Sequence, residues 1–262
     1  MNEQHFQFSD VTLLVTHYNR SQSLERLLHA FRKLHCTFGD IVVSDDASSA
    51  EHLAKLNHLQ RELPFRLITT ARNGGLGNNL NKGQDAVTTP YTLYVQEDFE
   101  PTGAFPEHFS DGLRFMKERG ELDVVRLYAY LRYPYLKPYR NGYSEMWYRY
   151  WLPNYMKVFM YSDHPHLRRS NFTQKFGRYP EGLKGDVTEY RMSLSFIQKK
   201  GKGLFYEDFQ SLFHHNNTDD EPSTMKRNNW KQQSRNVFVK FARDSYRQVK
   251  YNFDVSFFRQ DR

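Results

Sequence analysis

The sequence predicts an α/β fold: a parallel sheet covered by helices on both faces, followed by a helical tail. Three observations predict it. Short apolar runs recur at residues 11–16 (VTLLVT), 41–44 (IVVS), 65–70 (FRLITT) and 91–96 (YTLYVQ). They lack an alternating polar face, so they read as strands buried on both sides. Between them lie segments with leucines at helical spacing, and strands alternating with helices build a parallel sheet.

In order, Val11–Thr16 leads through HYNR to a helix from Ser21 to Leu34, with Leu24, Leu27, Leu28, Phe31 and Leu34 on one face. Ile41–Ser44 is followed by DDASS and a helix carrying Leu53, Leu56, Leu59 and Leu63. Phe65–Thr70 runs through the glycine-rich ARNGGLG to a short helix, Asn78–Val87, and then to the strand Tyr91–Gln96. A further strand is expected within Leu122–Leu131. Residues 128–161 hold ten of the 18 tyrosines and two of the three tryptophans. Proline and glycine interrupt them, so they read as an irregular aromatic insertion. Gly185–Lys200 returns to a helix, followed by a short strand at Leu204–Tyr206, then SLFHHNN and a basic tail.

Net charge is +7, yet residues 223–262 hold ten Lys/Arg against three Asp/Glu, which leaves 27 of each sign in residues 1–222. The body is therefore neutral, and its acidic strand ends would repel a phosphate backbone. With no RNP-type aromatic motif, helix-turn-helix or zinc-ligand spacing, a nucleic-acid partner is not expected. A single cysteine, Cys36, cannot form an intramolecular disulfide, and residues 1–10 have neither the basic start nor the apolar core of a secretion signal. A cytoplasmic location is expected. No apolar run approaches the roughly 18 residues of a membrane-spanning helix.

Three unusual stretches lie at strand ends, where open α/β sheets bind ligands: Thr16–Arg20, Asp45–Asp46 and Glu97–Asp98. In the last, LYVQEDFEP sets Glu97, Asp98 and Glu100 around Phe99. Like charges this close repel, so the knot calls for a cation or a basic partner. Asp45, Asp46 and Ser48 would also serve as a plain turn and helix cap, and Asn73 with Gly74, Gly75 and Gly77 as a flexible turn.

In chain order, VTLLVTHYNR, IVVSDDASS, ARNGGLGNNLNKG, YTLYVQEDFEP and, more loosely, GDVTEYRMSLSFIQKKGKGLFYE resemble the motifs of the family 2 glycosyltransferases of GT-A fold. Such enzymes transfer a sugar from a nucleotide diphosphate to a hydroxyl acceptor. The resemblance covers residues 11 to about 207 and implies a Rossmann-like, mixed, mostly parallel sheet flanked by helices. It implies a catalytic body over residues 1–222, with a nucleotide-binding half to about residue 120 and an acceptor half beyond, and a helical extension over 223–262.

The resemblance assigns Thr16, Tyr18, Arg20 and Asp46 to the base and ribose of a nucleotide-sugar donor, expected to be UDP-linked, with Asn73 in the loop beside them. An aspartate can accept from the uracil imide and a tyrosine can stack on the ring. It puts Asp98 on a Mn²⁺ or Mg²⁺ ion that bridges the donor phosphates, and Glu97 at the ribose or a metal-bound water. Glutamate at 97 departs from the family's aspartate and lengthens that side chain. The family's acceptor base lies about a dozen residues before a glycine; counted back from Gly201, this selects Glu189, with Asp186 second. Either would also suit an ordinary first-turn carboxylate. His214 and His215 follow the last strand, where many GT-A enzymes supply a histidine to the metal or diphosphate; His214 is the expected ligand.

The implied reaction is an inverting, metal-dependent transfer to a glycan or lipid-linked saccharide, with the aromatic insertion on the acceptor side. A nucleotidyltransferase on a similar sheet is the alternative, but the chain lacks the basic Gly-rich loop expected near its N-terminus. In the tail, Trp230, Val237, Phe238 and Phe241 share one helical side. Such a helix either packs on the body or rests its basic face on an anionic membrane, a peripheral contact on the inner face through residues 223–262.

Overall fold

The computed structural model describes residues 4–216 and 237–259, with the side chains of the second segment described from Ala242 onward. The chain opens with β1 (Phe6–His17), α1 (Ser21–Lys33), β2 (Cys36–Asp45), α2 (Ala50–Glu62), β3 (Arg66–Ile68), α3 (Gly75–Asp85) and β4 (Tyr91–Gln96). It continues through β5 (Phe99–Pro101), α4 (Phe105–Glu118), β6 (Val124–Arg126), β7 (Leu136–Pro138) and β8 (Tyr143–Met146). A single 3₁₀ turn, Tyr155–Val158, precedes β9 (His166–Arg169), α5 (Phe172–Phe176), α6 (Gly185–Gln198), β10 (Gly203–Tyr206), β11 (Phe213–His215) and α7 (Val237–Phe257).

Nine strands form one sheet in the order β3-β2-β1-β4-β9-β6-β10-β8-β7, and β5 pairs with β11 in a separate ribbon. The first four strands are parallel neighbours. β9 enters antiparallel between β4 and β6, while β10 runs parallel to β6. The sheet is thus mixed and mostly parallel at its centre. The aromatic insertion is less irregular than its composition suggests, because β8 and β7 add two antiparallel strands to the sheet edge.

Both faces of the central strands are apolar for a simple reason. Successive side chains point to opposite faces, so Leu13 and Val15 meet α1 and α4 in one core while Leu14 and Tyr94 meet α3 and α6 in the other. Of the expected α1 face, Leu24, Leu27, Leu28 and Phe31 are buried, while the helix ends at Lys33 and leaves Leu34 half-buried at its C-cap. Truncating one of these, such as Leu27→Ala, would cost about 2–5 kcal/mol through lost burial and the residual cavity.

α7 packs one side on the body. The Tyr190 hydroxyl donates to Asp254 at 2.7 Å, Arg247 reaches the Tyr155 hydroxyl at 2.9 Å, and Gln248 reaches the Leu152 carbonyl at 2.7 Å. Trp230 lies outside the described residues, as do the side chains of Val237, Phe238 and Phe241. Among the described residues no helix is long and apolar enough to cross a membrane.

Candidate active site

The parallel strands β1, β2 and β4 end side by side, and their loops converge with the start of α3. β1 delivers Thr16, His17, Tyr18 and Arg20; β2 delivers Asp46; the α3 start delivers Asn73 and Gly75; β4 delivers Glu97 and Asp98. Together they line a cleft of about 310 Å³. All six residues expected at the nucleotide share this cavity with the expected metal ligand.

Buried polar contacts lock these loops in place. Asn19, at φ 53°, turns the chain after β1; its N–H donates to Ser48 Oγ at 2.8 Å, and its Oδ1 accepts from Ser49 N–H at 2.8 Å. The Arg20 N–H donates to His17 Nε2 at 3.2 Å, so the imidazole proton sits on Nδ1, 2.7 Å from Asp45 Oδ1. Burial alone would raise the Asp45 carboxyl, but hydrogen bonds from His17 and Ser48 hold it below the ordinary range. Asp45 thus does the turn work that its position also suited, its Oδ2 accepting from the Ser48 N–H at 3.0 Å, and it does not cap α2.

Asp46 plays a different part. Its two oxygens accept from the Gly74 and Gly75 N–H groups at 2.8 and 2.9 Å, which anchors the glycine loop at the N-terminal end of α3. Gly75 adopts φ +79°, and a Cβ on Gly77 would lie 2.1 Å from the Pro180 carbonyl oxygen. These glycines are demanded by the chain's own packing. The Thr16 hydroxyl, beneath the cleft, lies 3.0 Å from the Tyr94 hydroxyl.

The acidic knot is resolved largely from within. Arg20 Nη1 lies 2.8 Å from Asp98 Oδ2 and 3.7 Å from Glu97 Oε1, with all three side chains buried. Glu100 stands apart and pairs with Arg26 at 3.1 Å. Arg20 therefore lines the cleft with its guanidinium committed to Asp98. The β5–β11 ribbon adds the other neighbour. It sets His214 opposite Glu100 and His215 opposite Phe99, and the His215 Nε2 lies 3.2 Å from Asp98 Oδ2. Because adjacent strand residues face opposite ways, His214 is exposed and the imidazole at Asp98 belongs to His215. The structure so shifts the expected histidine by one residue.

Burial raises the Asp98 carboxyl, but hydrogen bonds from His215 and Arg20 outweigh it and hold the group below its ordinary value. Its other oxygen, Oδ1, is buried with no hydrogen-bond partner among the described residues. A carboxylate with an orphaned oxygen is the oxygen donor that Mn²⁺ and Mg²⁺ take.

A second cavity of about 200 Å³ is bordered by Arg126, Tyr130, Tyr133, Ser162, His164 and Glu189. Tyr130 joins it to the first site, with its ring centroid 5.6 Å from His215 and 4.6 Å from His164. Glu189 Oε1 accepts from the Asp163 N–H at 3.3 Å. Asp186 is exposed one turn earlier, and its Oδ1 accepts from the Val187 N–H at 2.9 Å. That is the first-turn role of a helix-stabilising carboxylate. The structure brings Glu189 to a cavity and leaves Asp186 outside both.

The sequence profile described as glycosyl transferase family 2 matches residues 12–176, more than half of the chain. The chain belongs to glycosyl transferase family 2. No curated protein matches this family 2 chain closely enough to count as a relative. Solved structures similar to it include residues 1–349 of S. aureus TarS, at 17% identity and TM-score 0.57, covering 78% of this chain and 59% of that one. The same TarS piece in complex with UDP-GlcNAc gives 15%, 0.58, 93% and 66%. GalNAc-T7 with UDP, GalNAc and Mn²⁺ gives 16%, 0.56, 79% and 43%. The family 2 chain thus spans about three fifths of the first TarS structure's length, and the likeness establishes a GT-A fold.

Sequence reasoning named His215 beside His214 but preferred His214, and it did not single out His17 under the first cleft or Arg126, Tyr130, Asp163 and His164 at or beside the second cavity of this family 2 protein. The run SDHPHLRR at 162–169 carried a signal, since it crowds an aspartate and two histidines after the aromatic insertion. Only the pairing of β9 between β4 and β6 carries it into the site.

Proposed function

We propose that this chain transfers a sugar from a UDP-type nucleotide sugar to a hydroxyl of a glycan or lipid-linked saccharide, with inversion and with help from a divalent cation. The observation that carries the reading is the single cleft shared by Thr16, Tyr18, Arg20, Asp46, Asn73, Glu97 and Asp98. Tyr18 and Asp46 suit the base, and Glu97 the ribose. Asp98 and His215 would hold the cation, which when bound offsets charge on the leaving diphosphate. Arg20 keeps Asp98 ionised and oriented. Across Tyr130, Glu189 takes the proton of the acceptor hydroxyl as its oxygen bonds to the anomeric carbon and the bond to the diphosphate breaks. The exposed rings of Tyr150 and Trp151 and the cavity wall at Tyr130 and Tyr133 offer apolar faces for a saccharide.

The tail supports a place for this reaction at an anionic lipid surface. α7 turns Tyr246 (66% exposed), Val249 (71%), Phe253 (59%) and Phe257 (68%) outward along one stripe. By sequence, residues 223–262 carry a surplus of seven positive charges, which would add attraction to an anionic surface.

Thermal shift tests the donor and cation reading. UDP with Mn²⁺ should raise the melting temperature more than UDP with EDTA, since a ligand stabilises the state it binds. Asp98→Asn should erase that difference, His215→Ala should weaken the Mn²⁺ dependence tenfold or more, and His214→Ala should leave it unchanged. Equal stabilisation by UDP in both conditions would remove the metal from the reading.

A further inference from the structure

A third cavity, of about 480 Å³, exceeds the other two in volume. It lies where Gly203, the first residue of β10, pairs with Met146 of β8 and Val124 of β6. Arg126, at the other end of β6, borders the Glu189 cavity, so the two cavities sit at opposite ends of one strand. Its lining has two characters. Met146, Met160 and Ile197 belong to the buried apolar core, and Trp147 adds a ring that is 39% exposed. The same cavity is lined by Arg119, Arg149, Lys200 and Lys202.

These cations outnumber the acids near them. Glu145 is held by Arg119, which also pairs with Glu121 at 2.7 Å. Among the described residues Arg149, Lys200 and Lys202 form no ion pair, although the charge of Lys202 also reaches Glu121. The surplus is local, because residues 1–222 carry equal numbers of acidic and basic side chains. Lys200 and Lys202 follow the C-terminal end of α6, where the carbonyl dipoles favour cations. Arg149 arrives from the aromatic insertion, so two distant segments bring positive charge to one opening. A bare anion would leave the apolar floor wet, and an uncharged lipid would leave the cations without a partner. We propose that this cavity binds an amphiphilic phosphate: the phosphorylated head group and first methylenes of an anionic membrane lipid. The end of α7 lies at the same place. Gln198, next to Ile197, donates to the Val255 and Phe258 carbonyls at 2.9 and 2.6 Å, which ties the exposed Phe253 and Phe257 turns to the end of α6. The cavity site stands on its own residues, and only the route by which lipid reaches it rests on the reading of α7 as a membrane contact.

Dihexanoyl phosphatidic acid, kept below its micelle concentration, is the probe, with dihexanoyl phosphatidylcholine and inorganic phosphate as comparisons. Binding to the full chain is read by tryptophan fluorescence and by melting temperature, and the fluorescence change should be absent in Trp147→Phe. Phosphatidic acid should bind roughly tenfold or more tightly than phosphatidylcholine, and Lys200→Asn with Lys202→Gln should remove that preference. Lys200 holds φ 57°, a left-handed backbone that asparagine tolerates, so the double variant should keep its melting temperature without ligand. Arg149→Gln, on the other segment, gives the same test should that variant lose stability. Phe253→Ser with Phe257→Ser should leave binding of the dissolved lipid intact while sedimentation with anionic vesicles falls, so the cavity and the tail reading fail separately. Equal affinity for the two lipids, equal affinity for inorganic phosphate, or a preference that survives loss of the basic side chains would overturn the proposal.

Discussion

Arg20 Nη1 stands 2.8 Å from Asp98 Oδ2, and both side chains are buried. The strand end that gathers like charge therefore brings its own counter-charge from the first loop, 78 residues away in sequence. Among the described residues, one carboxylate oxygen of Asp98 remains without a partner. The knot is half neutralised and half open.

Arg20→Gln should leave Asp98 and Glu97 buried with no guanidinium. Removing one partner of a buried pair costs roughly 3–5 kcal/mol, because the remaining charge stays desolvated. Urea denaturation in EDTA should show a loss of that size, and Mn²⁺ should recover part of it. An unchanged midpoint in EDTA would mean that the pair adds nothing to the fold.

Glu189→Gln should leave UDP binding near wild type while lowering turnover roughly 10²- to 10⁴-fold, the range for a lost general base. Asp186→Asn should stay within about threefold of wild type, since its carboxyl only caps a helix turn. Single-turnover assays read both, and the reverse pattern would move the base to Asp186.

Asp163 makes stability depend on pH with a definite sign. In the unfolded chain it ionises near pH 3.9, and folding raises that value. Between the two values the folded state holds a proton that the unfolded chain lacks, so stability falls as pH rises, by at most about 1.4 kcal/mol per pH unit. Asp163→Asn removes the ionisation and should flatten the profile over that window. Denaturant midpoints from pH 4 to pH 8 would check it, and identical slopes would count against a raised Asp163.

Phe253→Ser with Phe257→Ser should change the exposed apolar stripe without touching the packed side of α7, where Tyr251 and Asp254 meet Tyr190. The double variant should keep its melting temperature within about 2 °C, since surface substitutions away from buried contacts change stability little. It should also lose salt-sensitive sedimentation with anionic liposomes. Full-length protein that ignores such liposomes at low salt would leave the stripe unexplained by lipid.

The sequence by itself determined the elements whose order is written locally. β4 begins and ends where its apolar run does, at Tyr91 and Gln96, and α6 follows its predicted start at Gly185. The cleft at the ends of β1, β2 and β4 was legible for the same reason, because the rule that loops meet at the carboxyl ends of parallel strands needs only the strands. Helical and strand periodicities act over a few residues, and a single chain displays them directly.

Tertiary structure decided what depends on a partner distant in sequence. β5, β9 and β11 are three or four residues long and exist through their pairing, so no periodicity announces them. The β5–β11 register chose His215 over His214, since a shift of one residue exchanges the two faces of a strand. Burial decided the rest: Asp163 and Glu189 are 26 residues apart, and only folding brings the Asp163 N–H to 3.3 Å from Glu189 Oε1 and removes water from Asp163.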